Sequence, residues 1–296
     1  MKQATTVQEQ IEKLKERGLI LDIGEAKATE ILNDIGYFRL GFYCFPFEKN
    51  YPNKGYRTHE YKEGSKFSDV VNLYYLDVDL RNVLSRYINR IEINFRTTII
   101  YRASNQYKKC NTWFINPAVM EKKFIDDFDS KLYTDVFRRN PIIKNHHSKY
   151  LNDKYAPAWK TLEFFTFGTM VNIYKNLKNR DLKREIAACY NIRNEKIFTN
   201  YFNAIVEIRN ICAHGKTLFD HTLIRQLKNG PAVSITANNA YKPYSAIQVI
   251  VYVLKSISNN RANNMQEEIN LIFYRHRKNK AICNIINDCT GYENIF

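Results

Sequence analysis

Apolar and polar positions alternate along the chain, and most of the apolar stripes have helical spacing. Over 8–17, Ile11 and Leu14 share one face, and Gly18 stands where a helix would stop. A second short helix is predicted over 26–33, ahead of Gly36. The aromatic stretch Tyr37-Phe38-Arg39-Leu40-Gly41-Phe42-Tyr43 follows, then a loop over 50–64 rich in Asn, Gly, Pro, Tyr and charge. The longest pattern covers 67–101, where Val70, Leu73, Leu80, Leu84, Tyr87, Ile91 and Phe95 recur in steps of three, four and seven. Arg81, Arg86, Arg90 and Asn94 are expected on the opposite face of that helix. One or two polar helices are predicted over 117–150, and a core helix over 158–176 with Pro157 at its start. Further helices are predicted over 181–190, 194–214, 244–258, 263–275 and 280–287. The β-branched run 247–253 has strand propensity, but its length and neighbours favour helix. The fold class is all-α.

Composition changes this picture little. With 45% hydrophobic and 14% aromatic residues, the 296-residue chain is globular and too aromatic for large-scale disorder. No internal repeat and no Gly/Ser/Pro linker separates independent domains. Charge says more: 45 Lys and Arg against 30 Asp and Glu leave +15. Such an excess repels itself in a compact chain and suits a polyanionic partner, nucleic acid or an anionic membrane. The plain alternative is a Lys/Asn-rich bias that serves only solubility. The longest apolar run, 246–254, is interrupted by Gln248 and falls far short of the roughly 20 residues of a spanning helix. The N-terminal MKQATTVQEQIEKLKERG has no apolar signal core. None of the six cysteines forms a CxxC pair, so a reduced, cytoplasmic protein is expected, with no membrane partner, no zinc site and no disulfide framework.

One segment carries candidate chemistry: Ile205-Val206-Glu207-Ile208-Arg209-Asn210-Ile211-Cys212-Ala213-His214-Gly215. Ile205, Ile208 and Cys212 face a core, while Asn210 and His214 are four apart on another face. Gly215 puts His214 in the last helical turn, where the negative end of the helix favours a cation. The Asn210 amide is placed to orient the imidazole, and the planar fork of Arg209 suits a phosphate. A histidine that moves a proton to or from ribose oxygens, with an arginine for the charge on phosphorus, is what RNA cleavage without a metal requires. No metal or cofactor is called for. An Arg followed five positions later by His is a weak pattern when alone, and an ordinary capped helix end reads the same way.

Arg209-Asn210-Ile211-Cys212-Ala213-His214 resembles the RNxxxH motif of HEPN-domain ribonucleases. The rest of the chain is similar to bacterial abortive-infection (Abi) proteins of the AbiD/AbiF type in that superfamily. The matching stretches are Ile35-Gly36-Tyr37-Phe38-Arg39-Leu40-Gly41-Phe42-Tyr43 with Pro46-Phe47, Leu73-Tyr74-Tyr75-Leu76-Asp77 through Leu80-Arg81, Ile91-Glu92-Ile93-Asn94-Phe95-Arg96, and Pro157-Ala158-Trp159-Lys160-Thr161-Leu162-Glu163 with Phe167-Gly168. In order and spacing they cover about 8–225. The resemblance implies a HEPN-like helical core over 65–228 with N-terminal (1–64) and C-terminal (229–296) helical extensions. It further implies a metal-independent endoribonuclease whose catalytic residues are Arg209, Asn210 and His214. A homodimer would join two motifs in one cleft, and a partner would restrain this phage-defence toxin. Some members of this branch are associated with a small structured non-coding RNA. A module that binds such an RNA without cleaving it is the rival reading, and the intact trio favours the nuclease.

Other residues have weaker claims. Glu92 and Arg96, four apart, either support the Arg209/His214 pair or form an ordinary surface pair. Glu163, among Leu162, Phe164 and Phe165, needs a partner such as a buried arginine. His221 is a candidate neighbour of the cleft. His146 and His147 read as a solvated loop. The Tyr37–Phe47 aromatics read as core, with base stacking the alternative. Arg81, Arg86 and Arg90, and the cluster Arg275, Arg277, Lys278 and Lys280, are candidate RNA phosphate contacts, with solvated surface the alternative.

Overall fold

The computed structural model describes residues 3–53 and 55–292. Among them every regular element is a helix, and pairing between extended segments is confined to isolated bridges such as Glu48 with Tyr61. The chain forms two compact units interleaved in sequence: Met1–Val83 with His214–His221 and Glu267–Phe296, and Leu84–Ala213 with Thr222–Gln266.

In the first unit, helix Val7–Glu16 starts with a capping box. Thr6 Oγ1 accepts from the Glu9 N–H at 3.3 Å, and Glu9 Oε2 accepts from the Thr6 N–H at 2.7 Å. Its apolar residues Ile11 and Leu14 are buried, as their spacing predicts. Helices Glu25–Ile35 and Tyr37–Cys44 meet at Gly36, whose φ of 86° is left-handed and suits glycine. The aromatic stretch is thus itself a helix. Leu40, Tyr43 and Cys44 pack with Leu73 and Phe219, and Phe38 and Phe42 point outward. The C-terminal helix Lys280–Thr290 adds Ile285 and Cys289 to the same core.

The second unit is organised around aromatic rings. Phe95 lies 4.5 Å from Phe202, and Phe198 and Phe202 stack at 4.3 Å between centroids. Tyr174 packs on Phe198 at 4.6 Å. These rings lock the helix Glu195–Ala213 against the long helix Phe67–Gln106 and against Phe167–Asn176. Pro243–Ile257, the β-branched run, is a helix.

Two expectations are corrected here. The core helix predicted over 158–176 is broken into Ala158–Thr161, a 3-10 turn Leu162–Phe164, and Phe167–Asn176. Thr166 causes the restart: its side chain accepts from the Thr169 N–H at 3.2 Å and caps a new helix. His146 and His147 lie not in a solvated loop but in helix Pro141–Lys149. His146 is buried with Nε2 3.0 Å from Asp153 Oδ2, and His147 Nε2 is 2.9 Å from the Tyr133 hydroxyl.

Candidate functional site

The helix Glu195–Ala213 buries Phe198, Tyr201, Phe202, Ile205, Ile208 and Ile211, a stripe at steps of three and four. The opposite side of its last turn holds Arg209, half-buried, and Asn210, exposed. The helix ends at Ala213, so His214 is the first residue beyond it, not part of its last turn, and it is exposed. Gly215 follows at a φ of 61°, a left-handed turn that leads the chain away from the helix.

Arg209 is held from the long helix. Its Nε lies 3.3 Å from Glu92 Oε2, and Arg96 Nη2 donates to Glu92 Oε1 at 3.1 Å. Glu92 and Arg96 are both buried, so one carboxylate answers two guanidinium groups, and the three side chains carry a net positive charge. Because Arg209 is tethered through Nε, its Nη pair is left for an anion; Nη1 makes one long contact, 3.4 Å, with Asn210 Oδ1. Arg96 Nη2 also donates to the Phe165 carbonyl at 3.0 Å, at the break in the core helix. Glu163 Oε1 lies 3.8 Å from Arg96 Nη1, so the arginine partner expected for Glu163 is Arg96, although the carboxylate itself is half-exposed. At the other end of this turn, Glu207 Oε1 accepts from the Ile224 N–H at 2.9 Å.

The segment 214–221 is fixed by residues that sequence reasoning missed. Asp77 is fully buried and accepts from the Leu218 and Phe219 N–H groups at 3.0 and 2.7 Å. It also accepts from the Tyr43 hydroxyl at 2.8 Å and from Arg81 Nε at 3.1 Å. Burial pushes the Asp77 carboxyl upward, against Arg81, Tyr43 and the two amides, all of which favour its charged form. Arg39 Nη1 donates to the Gly215 carbonyl at 2.7 Å. The available signal was a carboxylate at 77 inside the apolar stripe between Leu73 and Leu80, where only a satisfied partner set is tolerated.

That network corrects one candidate. Arg81, expected on the solvent face as a phosphate contact, is buried and paired with Asp77. The other cations lie at the surface. Arg86 and Arg90 are exposed, Arg86 above the Tyr87 ring at 4.9 Å. Arg275 is exposed, 3.8 Å from Asp79 Oδ2, and Arg277 lies over the Tyr274 ring at 3.5 Å. Lys278 and Lys280 are exposed. His221 is half-buried in a turn, its N–H donated to the Leu218 carbonyl at 3.1 Å.

A family model described as Abi-like protein matches residues 30–220, about two thirds of the chain, ending past the RNxxxH segment. The chain belongs to the Abi-like protein family. No curated protein and no solved structure matches it. Membership of the Abi-like family points to a role in abortive infection. Among the described residues of this Abi-like chain, no helix is long and apolar enough to cross a membrane.

Proposed function

We propose that this Abi-like chain is a metal-independent endoribonuclease of the HEPN type and the AbiD/AbiF branch, acting in the cytoplasm as a homodimeric toxin of phage defence. One observation carries the reading. The last turn of a deeply packed helix displays Arg209 and Asn210 with His214 directly after them, and a buried carboxylate, Glu92, holds Arg209 by one nitrogen. A helix end that served only packing would gain little from a carboxylate taken out of water to fix a half-exposed arginine.

The chemistry follows from the residue types. The ribose 2′-oxygen attacks phosphorus while a histidine takes its proton, the bond to the 5′-oxygen breaks, and a second histidine protonates that oxygen. The Arg209 guanidinium stabilises the extra negative charge on the phosphorane. One motif supplies one histidine, and a two-fold dimer supplies the other. The +15 charge agrees with an RNA substrate and with a structured RNA as regulator.

The test is cleavage of RNA by purified protein in excess EDTA, with analysis of the ends. Products bearing 2′,3′-cyclic phosphate and 5′-hydroxyl ends are expected. A strict requirement for Mg²⁺ or Mn²⁺, or 5′-phosphate ends, would overturn the mechanism.

A further inference from the structure

The aromatic N-terminal stretch divides in two in the structure, and only one half is core. Leu40, Tyr43, Cys44, Phe45 and Phe47 are buried, whereas Phe38 is 82% exposed and Phe42 47%. The two exposed rings meet edge to face at 5.3 Å. They stand at a cavity of about 450 Å³ in the first unit, within the range of about 300–1,000 Å³ usual for small-molecule sites.

Two kinds of charge line this cavity. Glu48 is buried and accepts from Arg57 Nε at 3.0 Å, from Arg57 Nη2, and contacts His59 Nδ1 at 3.3 Å. Arg57 also donates to the Gly41 carbonyl at 3.3 Å and lies over the Phe45 ring. The carboxylate and Arg57 therefore neutralise each other within the wall, and both Glu48 oxygens are taken. His59 is held there at a φ of 62°, a left-handed conformation that costs a non-glycine residue strain. Lys13 and Arg17 also line the cavity. Among the described residues, Arg17 donates one side-chain N–H, from Nη1 to the Tyr37 hydroxyl at 3.0 Å. What the cavity offers is two exposed aromatic rings, an apolar floor, and two cations, Lys13 and Arg17, of which Lys13 also feels the Glu9 carboxylate one turn away.

We infer that this cavity takes one nucleotide, its base against Phe38 and Phe42 and its phosphate on Lys13 and Arg17. An aromatic plane with an anionic tail matches both halves of the lining, while a purely apolar ligand would make no use of Lys13 and Arg17. None of Arg209, Asn210 and His214 lines this cavity, and its occupancy does not depend on cleavage. The nucleotide is either free or one unit of an RNA strand, and the two sources are separable.

The experiment measures binding to the whole protein of two probes: the four free nucleoside 5′-monophosphates, and a 2′-O-methyl octanucleotide that lacks the attacking hydroxyl and stays intact. Phe38→Ala and Arg17→Gln are the variants; Phe38 is exposed enough that its loss spares the core. Phe38→Ala is expected to weaken binding about 5- to 150-fold, equivalent to about 1–3 kcal/mol for one stacked base. Arg17→Gln is expected to lower the salt slope for the octanucleotide by about 0.7. Loss with the monophosphates identifies a free nucleotide, and loss with the octanucleotide alone identifies a strand. Binding of both probes unchanged by either variant, or no binding of either probe, would overturn the proposal. Because neither probe is cleaved, this result is independent of whether the protein is a nuclease.

Discussion

Glu92 governs how Arg209 is held. Its carboxylate lies between Arg96 and Arg209, and removing its charge leaves two guanidinium groups facing an uncharged amide. Glu92→Gln keeps the size and one acceptor oxygen, so we expect a stability loss of about 1–3 kcal/mol in urea melts. Cleavage should fall by a larger factor than folding explains, because Arg209 loses its tether; equal losses would make Glu92 a purely structural residue. Two histidines give the molecule a pH dependence of its own. Desolvation holds His147 and His276 below the ordinary histidine value of 6.5; the Arg138 and His146 charges add to this at His147, while at His276 Asp79 opposes it. The unfolded chain then takes up these protons at higher pH than the folded protein does. Stability is therefore fully present above that ordinary value and is lost as pH falls below it. Melting temperatures recorded from about pH 7.5 down to about pH 5.5 should decline, and His276→Asn should flatten the decline. A variant as pH-sensitive as the parent would contradict the assignment.

At the scale of elements, the chain after the motif helix is as fixed as the helix itself. Asp77 accepts both amides of Leu218 and Phe219 from a buried position, so Asp77→Asn leaves Arg81 without its counter-charge and forces an amide N–H group against other donors. We expect a loss of about 3–5 kcal/mol, the usual result of breaking a buried pair, and faster hydrogen exchange at the Leu218 and Phe219 amides. Unchanged exchange there would mean that the segment is held by something else. The helices were legible because amphipathic stripes report burial directly: Ile11 with Leu14, Leu73 through Phe95, and Ile205 with Ile208 all lie inside. Periodicity could not say what a polar residue in the buried sector meets. Arg81 reads as a surface cation by spacing alone, because what buries it is the pairing with Asp77 one turn earlier. The break near Thr166 is set by a side-chain cap competing with a continuous helix, and hydropathy does not encode that competition. The polar neighbours of His146 point to solvent, although Asp153, a few residues on, pairs with its Nε2. Of the candidate site, local spacing singles out Arg209, Asn210 and His214 at one helix end, and only the resemblance to a family implies a role for them. The Glu92–Arg209 pairing joins positions far apart in sequence, and spacing alone could only nominate Glu92 through its neighbour Arg96.

For the whole molecule, the excess of positive charge is the property most open to measurement. With Arg81 assigned to the interior, the surface cations left from the two clusters include Arg86, Arg90, Lys278 and Lys280. Replacing these four with Gln should flatten the salt dependence of RNA binding by roughly three units, at about 0.7 per single-strand phosphate. An unchanged slope would make them plain solvated surface. The proposed dimer is checked by sedimentation, where a strictly monomeric protein that cleaves RNA efficiently would exclude a second histidine from a partner copy. The most direct measurement is the cleavage of RNA by Arg209→Ala and His214→Ala beside the unmodified protein, with melting temperature and RNA affinity recorded on the same samples. Both side chains reach solvent, so both variants should fold and bind RNA as before while cleavage is abolished. Cleavage that persists in either folded variant would contradict the assignment of Arg209 and His214 as the residues that break the strand.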